Sequence, residues 1–249
     1  MKNLIFVSKN IGLECLKFHL KNFKEDQNYI VLCNPEKENI ISFLRDNHIF
    51  FVDVDDFSIN TLKENRFDWL LNLWGGLIFK KDLLNLTNNS LNIHPSYLPY
   101  GRGMDPVVWA IINQVPAGVT LHSINERVDE GDIWYQEKIL YDLPITGGEL
   151  YQHVTQSCIH IFKEHWPKIR NLRYKNKPQD NINIVTKKRK DLFQDQLIIY
   201  EDLNSDQKNL FLKILAHDFG SDYSSLITIN GNQFKIRFQL ENIEEKNSL

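Results

Sequence analysis

Leu4-Ile5-Phe6-Val7-Ser8-Lys9-Asn10-Ile11-Gly12 is the stretch that decides the fold. Four consecutive apolar residues, too few for a helix, read as a strand buried on both faces, as in a parallel sheet. Beyond them, Ile11 to Phe23 places Leu13, Leu16, Leu20 and Phe23 at helical spacing. Tyr29-Ile30-Val31-Leu32-Cys33 is a second strand, and Glu38 to Asn47 a second helix with Ile40, Ile41 and Leu44 facing inward. Ile49-Phe50-Phe51-Val52 is expected as a third strand, Asp55 to Glu64 as a helix, and Trp69-Leu70-Leu71-Asn72-Leu73 as a fourth strand. This alternation predicts a Rossmann-like, doubly wound, mostly parallel α/β sheet. A dinucleotide is not expected in it. The turn after the first strand holds only Gly12, and a pyrophosphate needs a glycine-rich turn for the backbone to approach it.

Further along, Leu91-Asn92-Ile93-His94 is a fifth strand stopped by Pro95, and Pro106 to Asn113 is a helix with proline in its first turn. Gly118 to Ile124 and Asp132 to Gln136 are further strands, and Thr146 to Ile169 is a long amphipathic helix. Asn171 to Asn181 is polar, contains Pro178 and reads as a linker. The expected division is therefore a domain over 1–172 and a linker with a small C-terminal appendage over 173–249. In that appendage Leu210 to His217 reads as a helix. Asn230-Gly231 sits between runs whose Ile227, Ile229, Phe234, Ile236 and Phe238 are spaced for the inward face of a hairpin. A lone hairpin is unstable in water, so a homodimer through this region is expected.

Among 249 residues, 42% are hydrophobic and 12% aromatic, enough for a packed core. The net charge of −3 gives no support for nucleic-acid binding. Cys15, Cys33 and Cys158 are far apart, so neither a disulfide framework nor a zinc site is expected. No run approaches the ~20 apolar residues that span a bilayer, and the opening Met1-Lys2-Asn3 does not read as a signal peptide, so a soluble cytoplasmic protein without a membrane partner is expected.

The chemistry gathers between residues 91 and 135. Asn92 and His94 stand at i and i+2 on a strand, so their side chains share a face near its carboxyl end. An amide donor beside an imidazole suits a carbonyl whose oxygen becomes an anion, and the imidazole can also accept a proton. Asp129 follows another strand and would orient or charge-stabilise the histidine. Spacing alone leaves a plainer alternative open, in which Asn92 caps a turn, His94 is a satisfied buried histidine and Asp129 is a loop acid. Trp109 and His122 read as structural, and the run Lys187-Lys188-Arg189-Lys190 as solvated. Trp74-Gly75-Gly76 reads as a tight turn or a place where backbone meets a flat ligand.

Three ordered blocks, Asn92 to Pro99, Arg102 to Ile111 and Gly118 to Asp129, resemble the formyltransferases that use N10-formyltetrahydrofolate, over roughly residues 1 to 170. The resemblance implies direct formyl transfer to an amine, with Asn92, His94 and Asp129 catalytic and no metal. Asp132 is the nearby competitor for Asp129. It also implies folate contacts from the segment of Gly75, Gly76, Leu77 and Ile78, with Asp132 beside them. From Asn176 onward 10 Lys and Arg face 11 Asp and Glu, which does not favour tRNA. The loop at Arg102, Met104 and Asp105, the segment Arg189 to Leu192 and the final hairpin look like the sugar N-formyltransferases. That branch implies a nucleotide-linked amino sugar as partner, met by Tyr97, Arg102, Met104 and Asp105. A dTDP-linked 4-amino-4,6-dideoxyglucose for surface-polysaccharide or O-antigen synthesis is the expected acceptor. A dTDP-3-amino sugar, GDP-perosamine, a formyltetrahydrofolate hydrolase and a non-catalytic folate-binding module are the alternatives. Trp74, Tyr97, Tyr100 and Tyr223 are the aromatic candidates for stacking on a base.

Overall fold

The computed structural model describes residues 1–180, 184–198, 207–229 and 231–239. Its centre is a seven-stranded sheet in the order β3-β2-β1-β4-β5-β6-β7. The strands are β1 (Lys2–Val7), β2 (Gln27–Leu32), β3 (Val52–Asp53), β4 (Phe67–Leu73), β5 (Thr87–His94), β6 (Ala117–His122) and β7 (Ile133–Ile139). The first five run parallel; β6 runs antiparallel to β5, and β7 antiparallel to β6. Helices α1 (Lys9–Asn22), α2 (Glu38–Asp46), α3 (Lys81–Leu84), α4 (Pro106–Asn113) and α5 (Gly147–Ile169) complete this part of the chain. The doubly wound, mostly parallel sheet expected from the apolar runs is present.

The central strands carry apolar residues on both faces because both faces are covered. Ile5, Val7, Leu71 and Ile93 join α1, α4 and α5 in the main core, while Leu4, Phe6 and Leu70 join Phe79 and Leu83 in a second core on the other face. Gly12 lies where α1 crosses the end of β4; a Cβ there would run into the Leu73 carbonyl and the Val7 side chain. α5 begins with a capping box: Glu149 N donates to Thr146 Oγ1 at 3.2 Å and Thr146 N donates to Glu149 Oε2 at 2.8 Å. Its Leu150, Val154, Cys158, Ile161, Phe162 and Trp166 are fully buried. The three cysteines are free and buried.

Beneath the sheet's amino-terminal end, His19 is wholly buried. Its Nδ1 accepts from Trp166 Nε1 at 3.0 Å, so its Nε2 carries the proton and donates to Asn28 Oδ1 at 3.0 Å. Burial holds this imidazole down to about 4, against the raising effect of the Asn28 bond and the Asp26 carboxylate.

Several expectations need correction. The run at Ile49 to Val52 gives only the two-residue edge strand β3, with Phe50 exposed and packed edge-on against Tyr29 at a centroid distance of 6.1 Å. Asp55 to Glu64 is a turn and a single 3-10 turn at Ile59–Leu62, whose N-cap residue Ser58 accepts the Asn60 N–H on Oγ. The C-terminal part holds α6 (Arg189–Asp195), β8 (Leu197–Ile198), α7 (Gln207–Ala216), β9 (Ser225–Ile229) and β10 (Asn232–Ile236). The hairpin of β9 and β10 pairs Ile227 with Phe234, and β8 adds in parallel. Asn230 of the expected turn lies outside the described residues; Gly231 has the left-handed φ of +77°. The expected inward face is not inward throughout: Ile227 is buried, but Ile229, Phe234 and Phe238 are exposed. Leu192, Leu212 and Ala216 enter the main core, so the C-terminal helices pack on the sheet domain. No described helix is long and apolar enough to cross a membrane.

Candidate active site

Strand register builds the site. Asn72 of β4 lies opposite Asn92 of β5, and Asn92 lies opposite His122 of β6. Three polar side chains therefore stand in a row across an otherwise apolar sheet, near the carboxyl ends of β4 and β5, where α/β sheets hold ligands.

The protons in this row follow from the geometry. His122 Nδ1 lies 2.7 Å from the Ser123 carbonyl oxygen, so Nδ1 carries the proton and Nε2 a lone pair. Asn92 Nδ2, 2.9 Å from that Nε2, donates to it. This leaves Asn92 Oδ1 to accept from Asn72 Nδ2 at 2.8 Å, and Asn72 Oδ1 to accept from Gly75 N at 2.9 Å. Burial lowers His122 to about 4 despite the raising field of Asp129, which keeps the ring neutral at pH 7. His122 was expected to be structural; it instead fixes which way the Asn92 amide points. Asn72 was also missed. Its signal was an asparagine inside the doubly buried run Trp69 to Leu73.

His94 and Asp129 stand beside the row. His94 Nε2 donates to the Gly101 carbonyl at 2.9 Å, which turns the Nδ1 lone pair toward Asp129 Oδ2 at 3.6 Å. Asp129 Oδ2 also accepts from Gly103 N at 2.9 Å, and its Oδ1 lies 3.5 Å from Asn92 Nδ2 and 3.6 Å from His122 Nε2. Asp129 holds a left-handed φ of +55°, so its loop is bent to deliver the carboxylate. The next residues explain the bend: a Cβ on Gly131 would collide with the Ser123 carbonyl, against which the loop folds back. Asn92, His94 and Asp129 thus lie together. Asp132 does not join them: its side chain is exposed, and its carbonyl accepts from Ser123 N at 2.8 Å.

The turn after β4 borders the row. Ser8 Oγ donates to the Trp74 carbonyl, and Trp74 and Gly76 have φ of +71° and +65°. Leu77 and Ile78 project into solvent. The loop after β5 carries the other expected contacts. Tyr97 is half-buried against Gly118, Met104 is exposed, and Arg102 Nη2 and Nε donate to Gln179 Oε1 at 2.7 and 3.1 Å. Asp105 stands at the N-cap position of α4 with a left-handed φ of +57°, makes no side-chain capping bond there, and pairs with Arg189 at 2.6 Å. Burial raises the Asp105 carboxyl, with Arg189 opposing.

Of the basic run, Lys188, Arg189 and Lys190 are exposed as expected, but Lys187 is docked here, and so is part of the stretch read as a linker. Lys187 brackets the loop by donating N–H to the Arg102 carbonyl and accepting from Met104 N, and its ammonium lies 4.0 Å from the Trp109 ring centroid. The supposed linker pairs Lys177 with Ile133 through two backbone bonds of 2.7 and 2.9 Å.

Residues 58–164, which hold Asn92, His94 and Asp129, match the formyl transferase family model. The sheet, its helices and the C-terminal hairpin have the same fold as a sugar N-formyltransferase from Shewanella sp., with a TM-score of 0.83, 20% identity, and 98% of this chain and 99% of that one covered. Among curated relatives, methionyl-tRNA formyltransferase of Lactobacillus acidophilus is 27% identical over 164 residues, 66% of this chain and 50% of that protein. The dTDP-4-amino-4,6-dideoxyglucose formyltransferase of Mycobacterium bovis is 31% identical over 97 residues, 38% of this chain and 42% of that protein. The chain spans half or less of the length of these curated relatives.

Proposed function

We propose that this protein moves a formyl group from N10-formyltetrahydrofolate to the amine of a nucleotide-linked amino sugar. The observation that carries the reading is the meeting of Asn92, His94 and Asp129 inside the segment that matches the formyl transferase family model. The Trp74 to Ile78 turn fits a folate: its backbone bends through left-handed residues, Gly76 has open space around it, and Leu77 and Ile78 offer apolar surface to a flat ring. Bound there, the folate supplies the formyl carbon and leaves as tetrahydrofolate.

The chain's own residues do the rest. Asn92 Nδ2 gives one hydrogen to His122; its second, held only by the 3.5 Å contact to Asp129, turns to the formyl oxygen as charge builds there. The His94 Nδ1 lone pair takes the proton from the attacking amine. Asp129 at 3.6 Å stabilises the resulting imidazolium, which returns the proton to the leaving nitrogen. No group on the protein forms a covalent bond.

The acceptor we favour is dTDP-4-amino-4,6-dideoxyglucose, for cytoplasmic synthesis of a surface polysaccharide. The Shewanella likeness over nearly the full length and the Mycobacterium relative support it. The Arg102, Met104 and Asp105 loop, bracketed by Lys187, would form the sugar side of the cleft, with Tyr97 nearby. A homodimer through the C-terminal sheet would cover Phe193, Leu197, Ile229 and Phe234, which are exposed there.

Mass spectrometry of reactions holding N10-formyltetrahydrofolate and a panel of dTDP-, UDP- and GDP-linked amino sugars tests the reading. One sugar gaining a formyl group, with the gain abolished in His94→Ala, is the expected result. Folate turnover with every sugar unmodified would replace it with a hydrolase.

A further inference from the structure

We infer that Gln179 is a positioning residue for the formyl transfer proposed above, an inference that rests on that reading for its chemistry. Gln179 lies beyond the segment matched by the family model and within the stretch that reads as a linker. Its amide makes four hydrogen bonds. Nε2 donates to the Asp129 carbonyl at 2.7 Å and to the Gly131 carbonyl at 2.8 Å, while Oε1 accepts from Arg102 Nη2 at 2.7 Å and Nε at 3.1 Å. Both amide hydrogens and both oxygen lone pairs are in use, so the group is held in one orientation.

The two partners are the loops that carry the chemistry. One delivers Asp129, whose carboxylate faces His94 and Asn92. The other delivers Gly101, whose carbonyl orients His94, and Gly103, whose N–H holds Asp129 Oδ2. Asp129 has a left-handed φ, which is uncommon for any residue with a side chain, though less so for aspartate than for most. Gln179 bonds the carbonyls on both sides of that bend. The clasp is itself anchored two residues back, where Lys177 and Ile133 exchange backbone bonds at the start of β7. A tail segment thereby sets the distance from Asp129 to His94 without touching the reacting atoms.

Two variants separate the halves of the clasp. Gln179→Ala removes all four bonds. Gln179→Glu keeps an acceptor for Arg102 but sets a carboxylate oxygen against the two carbonyls. Misplacing a group by about 1 Å can cost on the order of 100-fold, so kcat is expected to fall roughly 10- to 100-fold in both variants. KM for the formyl donor stays within about twofold, because the Trp74 to Ile78 turn is untouched. Hydrogen exchange read by mass spectrometry gives the second measurement, independent of turnover: peptides over 101–104 and 129–132 exchange faster in both variants.

Unchanged exchange in those peptides overturns the clasp. Faster exchange with kcat kept, assayed well below the melting temperature, overturns the positioning role and leaves a structural tie. Absence of formyl transfer by the wild-type protein overturns the proposed reaction instead, while the exchange arm still decides whether the clasp exists. If Gln179→Ala fails to fold, Gln179→Glu carries both measurements.

Discussion

Lowering the pH from 7 to 5 should destabilise this protein, and His19 sets much of the amount. The ring is fully buried between Trp166 and Asn28, and burial takes it from an ordinary 6.5 to about 4. In the unfolded chain it returns to the ordinary value. Between those limits the unfolded state binds a proton that the folded state refuses, so stability is lost as pH falls through 6.5 toward 4. The loss from this one ring between pH 7 and pH 5 is about 2 kcal/mol, rising to about 3 kcal/mol below pH 4. His122 adds a loss of the same sign. Asp105, whose carboxyl is raised, works in the opposite direction. The contribution of His19 is isolated by His19→Gln, which keeps a donor and an acceptor but cannot titrate. Urea unfolding followed by tryptophan fluorescence, at pH 7 and pH 5, gives the measurement. The wild type should lose about 2 kcal/mol more than the variant over that interval. Equal losses in the two proteins would refute the reasoning, because His19 would then be exchanging protons equally well folded and unfolded.

Asn72→Ala strands Asn92 Oδ1 and Gly75 N together, which should cost about 1–3 kcal/mol of stability. It should also raise KM for the formyl donor several-fold, which steady-state kinetics and thermal melting check in parallel. Thr146→Ala breaks the capping box of α5 and should cost about 1 kcal/mol with kcat unaltered, since the cap bonds run between Thr146 and Glu149 and involve no residue of the row. For the exposed C-terminal sheet, light scattering should give the mass of two chains, and Phe234→Ser the mass of one.

The core strands were legible because burial on both faces leaves no alternation to misread: Leu4 to Val7 and Trp69 to Leu73 could be little else. Edges were harder. Ile49 to Val52 has the composition of a buried strand, yet only Val52 pairs, because it lies at the rim of the sheet where Phe50 finds a single aromatic neighbour. The hairpin's alternation was visible, but alternation does not say which face another surface covers, and Phe234 lies open. In the site, Asn92, His94 and Asp129 stood in recognisable blocks. His122 was in plain view within one of them, but its part depends on cross-strand register, which spacing along the chain does not carry. Gln179 gave no signal at all: a glutamine in a polar stretch acquires its meaning only when the chain folds back past β7.

The row from His122 through Asn92 and Asn72 to Gly75 has a consequence for how this site tolerates change. Every bond in it has a direction, set from one end by the proton on His122 Nδ1 and from the other by the backbone N–H of Gly75. Reversing any one donor opposes two like groups, and the mismatch passes to the next residue. Losses along the row are therefore not independent: once His122 is gone, replacing Asn92 removes an amide held from the Asn72 side only, and the second change costs less than it would alone. The same coupling makes the row hard to alter by single steps, so a different arrangement at these three strand positions is reached by exchanging the residues together.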